Sequence, residues 1–248
     1  MTDPMRLNVV ESGSGDRTVL LLHGMTGSAE SWWRVAEELA ARGRRVLAID
    51  LPGHGLSPRD PTSTVASAAD AVVDTLVALA PGRRLIAMGH SYGGTVLAAA
   101  ATRLLIDSAV YVDTACAFAG GADRDELIAQ YASDRRSRRD ASWLRETRPF
   151  YSEKDAVVEA RAADRFDPVT AASISSGADV EHIPAPGSIL VRADPSRFVT
   201  DEDAHRLAAR GVEVRTIPGA AHTVWFSHFD EFVTALPEVF GADPPVGA

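Results

Sequence analysis

Short runs of β-branched and other apolar residues alternate along this chain with longer amphipathic segments. The short runs are Leu7–Val10, Val19–Leu22, Val46–Ile49, Leu85–Met88, Ala109–Val112, Ile189–Val191 and Val212–Thr216. Their length and lack of polar alternation suit strands buried on both faces, as in a parallel sheet. Helical segments are predicted near Ala29–Arg42, Thr64–Ala80, Tyr92–Leu105, Asp201–Ala209 and Phe229–Val239. Ser28 and Thr200 are positioned as N-caps. Thr200-Asp201-Glu202-Asp203 has the form of a capping box with Asp in place of Glu or Gln. Strand and helix in alternation predict an α/β fold, a mostly parallel sheet flanked by helices.

The rhythm breaks between Cys116 and about Pro186. This stretch is more polar, lacks a convincing strand and holds the run Asp134-Arg135-Arg136-Ser137-Arg138-Arg139-Asp140. It reads as a small helical insertion over residues 116–185, leaving 1–115 and 186–248 as one core. The arginine run is expected to be a solvated helix face, with binding of an anionic substrate group as the alternative. Trp143, Phe150, Tyr151 and Phe166 in the insertion suit either an apolar pocket or packing within it. Gly241 to Ala248 reads as a loose tail.

Composition narrows the class. With 248 residues, 46% of them hydrophobic, the chain is long enough for one sizeable core plus an insertion. A net charge of −9 argues against nucleic acid and anionic membrane surfaces as partners. The single cysteine, Cys116, excludes an internal disulfide framework and suits a reducing compartment. The first residues show no basic-then-apolar pattern, and no apolar run is long enough to span a bilayer. The expectation is a cytoplasmic protein acting on a small molecule, as a monomer or homodimer, without metal or cofactor.

The candidate chemistry starts at Gly89-His90-Ser91-Tyr92-Gly93-Gly94, where an apolar run turns into an Ala-rich helical segment. A serine on such a turn is pushed clear of the sheet, and the glycines prevent collisions as the chain reverses. The new helix aims its unpaired N–H groups at whatever binds beside the serine. Ser91 is read as the nucleophile of serine-based acyl chemistry, with a helix N-cap in a tight turn as the plainer alternative. His23-Gly24-Met25-Thr26-Gly27 follows an earlier strand, so the N–H groups of Met25 and Tyr92 form the natural pair of oxyanion donors. His23, at a strand end, is read as a structural histidine, and the Gly- and Pro-rich loop Asp50–Ser57 as structural too. His222, in a loop after the last strand with small residues before it, is the candidate base. His228 is read as a packing or capping residue. Two aspartates compete for the acid that orients His222. Asp113 follows Ala109–Val112 and Asp194 follows Ile189–Val191, both at strand ends where sites in such sheets lie.

In this order and spacing the elbow, the His23-Gly24 turn, the Asp50–Ser57 loop and the Ala221-His222 loop resemble the α/β-hydrolase superfamily. The resemblance covers about residues 7–115 and 186–240 and implies the α/β-hydrolase fold, with the insertion as its helical cap. Family members typically carry the acid in a Gly-x-x-Asp-type turn beyond the penultimate strand. On that pattern Ala193 takes the Gly position, Ser196 the acid position, and Asp194 falls two residues early. A minority draw the acid from the preceding strand, where Asp113 stands. Ser91 in the elbow separates this chain from epoxide hydrolases and haloalkane dehalogenases, which attack with aspartate. The expected activity is hydrolysis of a small carboxylic ester or lactone through an acyl-enzyme. Carbon–carbon, thioester or amide hydrolysis, or lyase, cyclase or cofactorless perhydrolase chemistry, remain open on the same fold. A ligand receptor without turnover is the non-enzymatic alternative.

Overall fold

The computed structural model describes residues 5–118 and 120–241. The first half of the chain forms β1 (Val9–Ser12), β2 (Thr18–Leu22), α1 (Trp33–Ala41), β3 (Arg45–Ile49), α2 (Val65–Leu79), β4 (Leu85–His90), α3 (Tyr92–Ala100) and β5 (Ile106–Val112). Next come β6 (Ala117–Phe118), α4 (Arg124–Arg138), α5 (Ala141–Thr147), α6 (Glu153–Arg165), α7 (Pro168–Ser175) and β7 (Val180–Glu181). The chain then returns through β8 (Ile189–Asp194), α8 (Asp201–Ala209), β9 (Glu213–Pro218), α9 (Val224–Ser227), α10 (Phe229–Thr234) and α11 (Pro237–Phe240).

Seven strands form one sheet in the order β1-β3-β2-β4-β5-β8-β9. All neighbours run parallel except β1, which pairs antiparallel with β3. The fold class is therefore α/β with helices on both faces, as the alternation of runs implies. Side chains of the central strands divide between two apolar cores. Leu20 and Leu22 of β2 join Leu47, Ala87 and Tyr111 beneath α2, α3 and α8. Val19 and Leu21 point the other way, to Met88, Val110, Val35 of α1 and Trp225 of α9. On this second side Trp225 stacks on the buried Trp32 with ring centroids 3.8 Å apart.

Several boundaries shift for local reasons. The segment expected at Ala29–Arg42 opens with a 3-10 turn over Ala29–Trp32 before α1 begins. The one expected at Phe229–Val239 breaks into α10 and α11, because Pro237 lacks the N–H that would continue the first helix and instead starts the second. Thr200 caps α8 as anticipated, its hydroxyl accepting from Asp203 N–H while the Asp203 carboxylate accepts from Thr200 N–H. Of the tail, only Gly241 lies within the described residues.

Chain order and strand order part company at β2. The chain passes from β2 to β3 on one side and then returns to β4 on the other, so the β2–β4 boundary is a topological switch point. Loops leaving such a boundary diverge and open a crevice at the carboxyl ends of the strands. Two buried polar groups hold the loops there. The Asp50 carboxylate accepts from the N–H groups of Ala29 (2.7 Å) and Leu56 (2.9 Å) and from the Asn8 amide (2.8 Å). His23 Nδ1 donates to the Gly24 carbonyl while Nε2 accepts from Leu51 N–H, which ties the turn after β2 to the loop after β3. Both expected structural assignments thus correspond to bonded, buried residues. His54, fully buried against His23, donates from Nδ1 to the Pro52 carbonyl, and burial followed by repulsion from His23 pushes its pKa down to about 3.

Two outcomes follow from this frame. A Cβ on Gly93 would lie 2.4 Å from the carbonyl oxygens of Leu22 and His23, so α3 crosses β2 only because this residue has no side chain. Gly93→Ala is expected to lower unfolding free energy in urea by about 2–3 kcal/mol, and an unchanged midpoint would contradict the close crossing. In the unfolded chain His54 takes up a proton near its ordinary value of 6.5, but in the native state only near 3. Stability therefore falls as pH drops through that interval, by ~1.4 kcal/mol per unit from His54 alone. Urea titrations of the wild type and His54→Asn across this range should show a shallower slope for the variant. Equal slopes would mean that His54 is protonated in the fold.

Candidate active site

Among the described residues three non-glycine residues have positive φ: Thr26 (+68°), Ser91 (+49°) and Asp113 (+42°). Each lies just beyond the carboxyl end of a strand, β2, β4 and β5 respectively. Such backbone costs on the order of 1–3 kcal/mol per residue and persists only where the surroundings enforce it. These three positions converge on one place.

Ser91 is held at the elbow by its N–H, which donates to the Val112 carbonyl of β5 (3.0 Å), while its own carbonyl starts α3 by accepting from Gly94 and Thr95 N–H. Gly24 faces it across the switch point. A Cβ on Gly24 would sit 2.7 Å from His90 Nδ1 and 3.2 Å from Ser91 Cβ, so the glycine lets the two loops meet. Gly27 N–H closes the turn onto the Gly24 carbonyl at 3.0 Å, which leaves Met25 N–H outside the turn's own hydrogen bond. Tyr92 is the first residue of α3, so its N–H has no intrahelical acceptor. The Tyr92 side chain is buried away from this N–H, stacking towards His54, and burial raises the pKa of its phenol.

Asp113 is fully buried directly after β5. Its N–H donates to the Val191 carbonyl at 2.8 Å, its Oδ1 accepts from Ala193 N–H at 3.2 Å, and its Oδ2 meets His222 Nδ1 at 2.7 Å. The short third contact fixes Nδ1 as the donor nitrogen of His222 and leaves Nε2 for other partners. His222 is one-third exposed. The Phe198 ring stacks on it at 4.0 Å, and the His90 ring lies 4.5 Å away, with His90 Nε2 donating to the His222 carbonyl. Burial and the neighbouring His222 hold the His90 pKa well below the ordinary histidine value.

The other predicted residues separate cleanly. Asp194 ends β8 with an exposed side chain, its carbonyl accepts from Gly219 N–H, and among the described residues no hydrogen bond joins its carboxylate to His222. Of the two candidate acids, Asp113 is the one brought to His222. His228 starts α10, where Phe232 N–H returns to its carbonyl, in keeping with a capping position.

A cavity of about 200 Å³ adjoins this constellation, walled on one side by residues 24–27, His90, His222 and Trp225. Its other wall comes from the α4–α6 region and includes Arg138, Arg148, Tyr151 and Glu159. Arg138 overturns the expectation that the whole arginine run is solvated. Its side chain is only 14% exposed and pairs with the buried Glu159 at 2.7 Å. Nothing local distinguishes it from Arg136, because its partner lies on another helix 21 residues on. Phe198, Arg148 and Glu159 were likewise missed, since their proximity to the site comes from tertiary packing alone. A larger groove of about 550 Å³ near Trp33 and Val157 includes none of Ser91, Asp113 or His222. Among the described residues no group of three or more His, Cys, Asp or Glu side chains could hold a metal ion, and no helix is long and apolar enough to cross a membrane.

Comparison with known proteins bears on this geometry. "Esterase PIR7B" of Oryza sativa subsp. japonica is 32% identical over 131 residues, covering 50% of this chain and 49% of the relative. "Esterase YbfF" of Escherichia coli strain K12 is 32% identical over 117 residues, 45% of each chain. The chain thus spans about half the length of the curated relatives it matches. Among solved structures an esterase from Exiguobacterium antarcticum superposes with a TM-score of 0.76 over 94% of this chain and 95% of its own, at 15% identity, a likeness of fold alone. Residues 19–235 match the model of the alpha/beta hydrolase family. A single match running from β2 through α10 takes in the elbow, Asp113 and His222, and the chain belongs to the alpha/beta hydrolase family.

Proposed function

We propose that this protein is a serine hydrolase of small carboxylic esters, including cyclic ones, working through an acyl-enzyme. The observation that carries the reading is the meeting of two strained strand ends, Ser91 and Asp113, with His222 hydrogen-bonded to the second. Ester-hydrolysing relatives named above support the bond type.

In this reading Ser91 Oγ adds to the ester carbonyl carbon while His222 Nε2 takes the hydroxyl proton. The buried Asp113 carboxylate holds the imidazole tautomer and stabilises the imidazolium as it forms. Charge developing on the carbonyl oxygen is met by the N–H groups of Met25 and Tyr92, each worth about 3–4 kcal/mol of barrier. The tetrahedral adduct collapses, the C–O bond to the leaving alcohol breaks, and His222 returns the proton to that oxygen. Water then adds to the acyl-enzyme by the same route in reverse, releasing the carboxylic acid and Ser91. The α4–α7 insertion acts as a cap in this scheme. The modest cavity suits a short acyl or alcohol group, since drug-sized ligands occupy roughly 300–1,000 Å³.

Turnover of para-nitrophenyl acetate tests the reading. Ser91→Ala should reduce kcat by about 10⁴-fold or to background, and retained turnover would exclude Ser91 as the nucleophile. Asp113→Asn should cost about 10³–10⁴-fold in kcat through the wrong imidazole tautomer. Asp194→Asn should stay within about twofold of wild type, as expected of an exposed side chain. The reverse ranking of these two variants would transfer the acid's role to Asp194.

A further inference from the structure

Charges in the cavity wall do not balance. Among the described residues Glu159 is the one buried carboxylate there, and both of its oxygens are committed. Oε1 accepts from the Ser31 hydroxyl at 2.6 Å, and Oε2 accepts from Arg138 Nη2 at 2.7 Å. Arg148, just after α5, lines the same cavity and is half-buried. Among the described residues no carboxylate lies within ion-pair distance of it. Its guanidinium donates from Nη1 to the Thr147 hydroxyl (3.1 Å) and sits 5.4 Å from the Trp143 ring and 5.9 Å from the Tyr151 ring. Those aromatic faces hold the side chain in place without neutralising it. Burial, and then repulsion from Arg138, lower the Arg148 pKa, against weaker attraction from Tyr151, Glu159 and Asp134, none of them in ion-pair contact with it. A chain of net charge −9 thus keeps, among the described residues, a cation with no carboxylate in direct contact beside its candidate active site.

We propose that Arg148 receives a carboxylate carried by the substrate, so that the preferred ligands are carboxylate-bearing molecules and the preferred esters are acidic ones. Half-buried charge without a counter-charge in contact is costly, and an incoming anion offsets that cost where bulk water cannot. A carboxylate matches the guanidinium fork with two parallel N–H···O bonds. A singly charged carboxylate group fits the one available guanidinium better than a doubly charged phosphate group, because Arg138 already has its partner. The ester-cleaving part of this statement rests on the proposed function. The binding part does not, since it concerns only the wall of the cavity.

Calorimetric titration of the intact protein with glutarate and with its neutral isostere glutaramide tests the binding part. We expect glutarate to bind at least ~10-fold more tightly. Arg148→Gln should reduce that preference to parity, Arg148→Lys should retain part of it, and substitution of the exposed Arg136 by Gln should keep it. Equal binding of the two ligands by the wild type overturns the proposal without recourse to any variant. A preference that survives in Arg148→Gln overturns it as well. Hydrolysis of para-acetoxybenzoate and its methyl ester adds the catalytic arm. The kcat/KM ratio of acid to methyl ester should fall at least ~10-fold in Arg148→Gln, and an unchanged ratio counts against the proposal. Glutarate binding that depends on Arg148, in a protein that turns over neither ester, would uphold the anion site while removing the proposed reaction.

Discussion

The 2.7 Å contact between Asp113 Oδ2 and His222 Nδ1 ties together the parts of the molecule that matter for its chemistry. One partner follows the fifth strand of the chain and the other follows the ninth, so the contact forms only once β8 is inserted between them in the sheet. Asp113 is buried, held in left-handed backbone geometry, and anchored to β8 by two further hydrogen bonds to Val191 and Ala193. An aspartate placed in this way has little freedom to turn elsewhere. Its carboxylate fixes the imidazole's tautomer and leaves Nε2 as the nitrogen that acts on Ser91 in the proposed mechanism.

Strain at the strand ends is sustained by the parallel sheet beneath them. β2 and β4 are buried along their whole length and carry apolar side chains to two separate cores. That burial offsets the cost of three unfavourable φ angles. Close backbone crossings at Gly24 and Gly93 bring the turn after β2 and the elbow together, while Asp50, His23 and His54 hold the loops from below. The buried histidines stay neutral, so the polar scaffold under the site brings no extra positive charge to it.

Much of this was legible in the sequence because it is local. Apolar runs of strand length, the glycines around Ser91, the small residues before His222 and the capping pattern at Thr200 each act over a few neighbouring positions. The choice between Asp113 and Asp194 was not legible, because both follow parallel strands and only packing in three dimensions decides which carboxyl reaches His222. Arg138 shows the same limit. Its helix looks uniformly charged, and only the fold reveals that one arginine turns inward to Glu159. Breaks near Trp33 and Pro237 moved element boundaries without moving any site residue.

The proposed chemistry requires Ser91 to be a nucleophile activated through His222. The most direct measurement is intact-protein mass spectrometry after exposure to an aryl organophosphonate, with the modified peptide mapped. One adduct is expected, on Ser91, and its formation should slow steeply in His222→Ala. An adduct on another residue, or unmodified protein that still hydrolyses esters in the presence of the reagent, would contradict it.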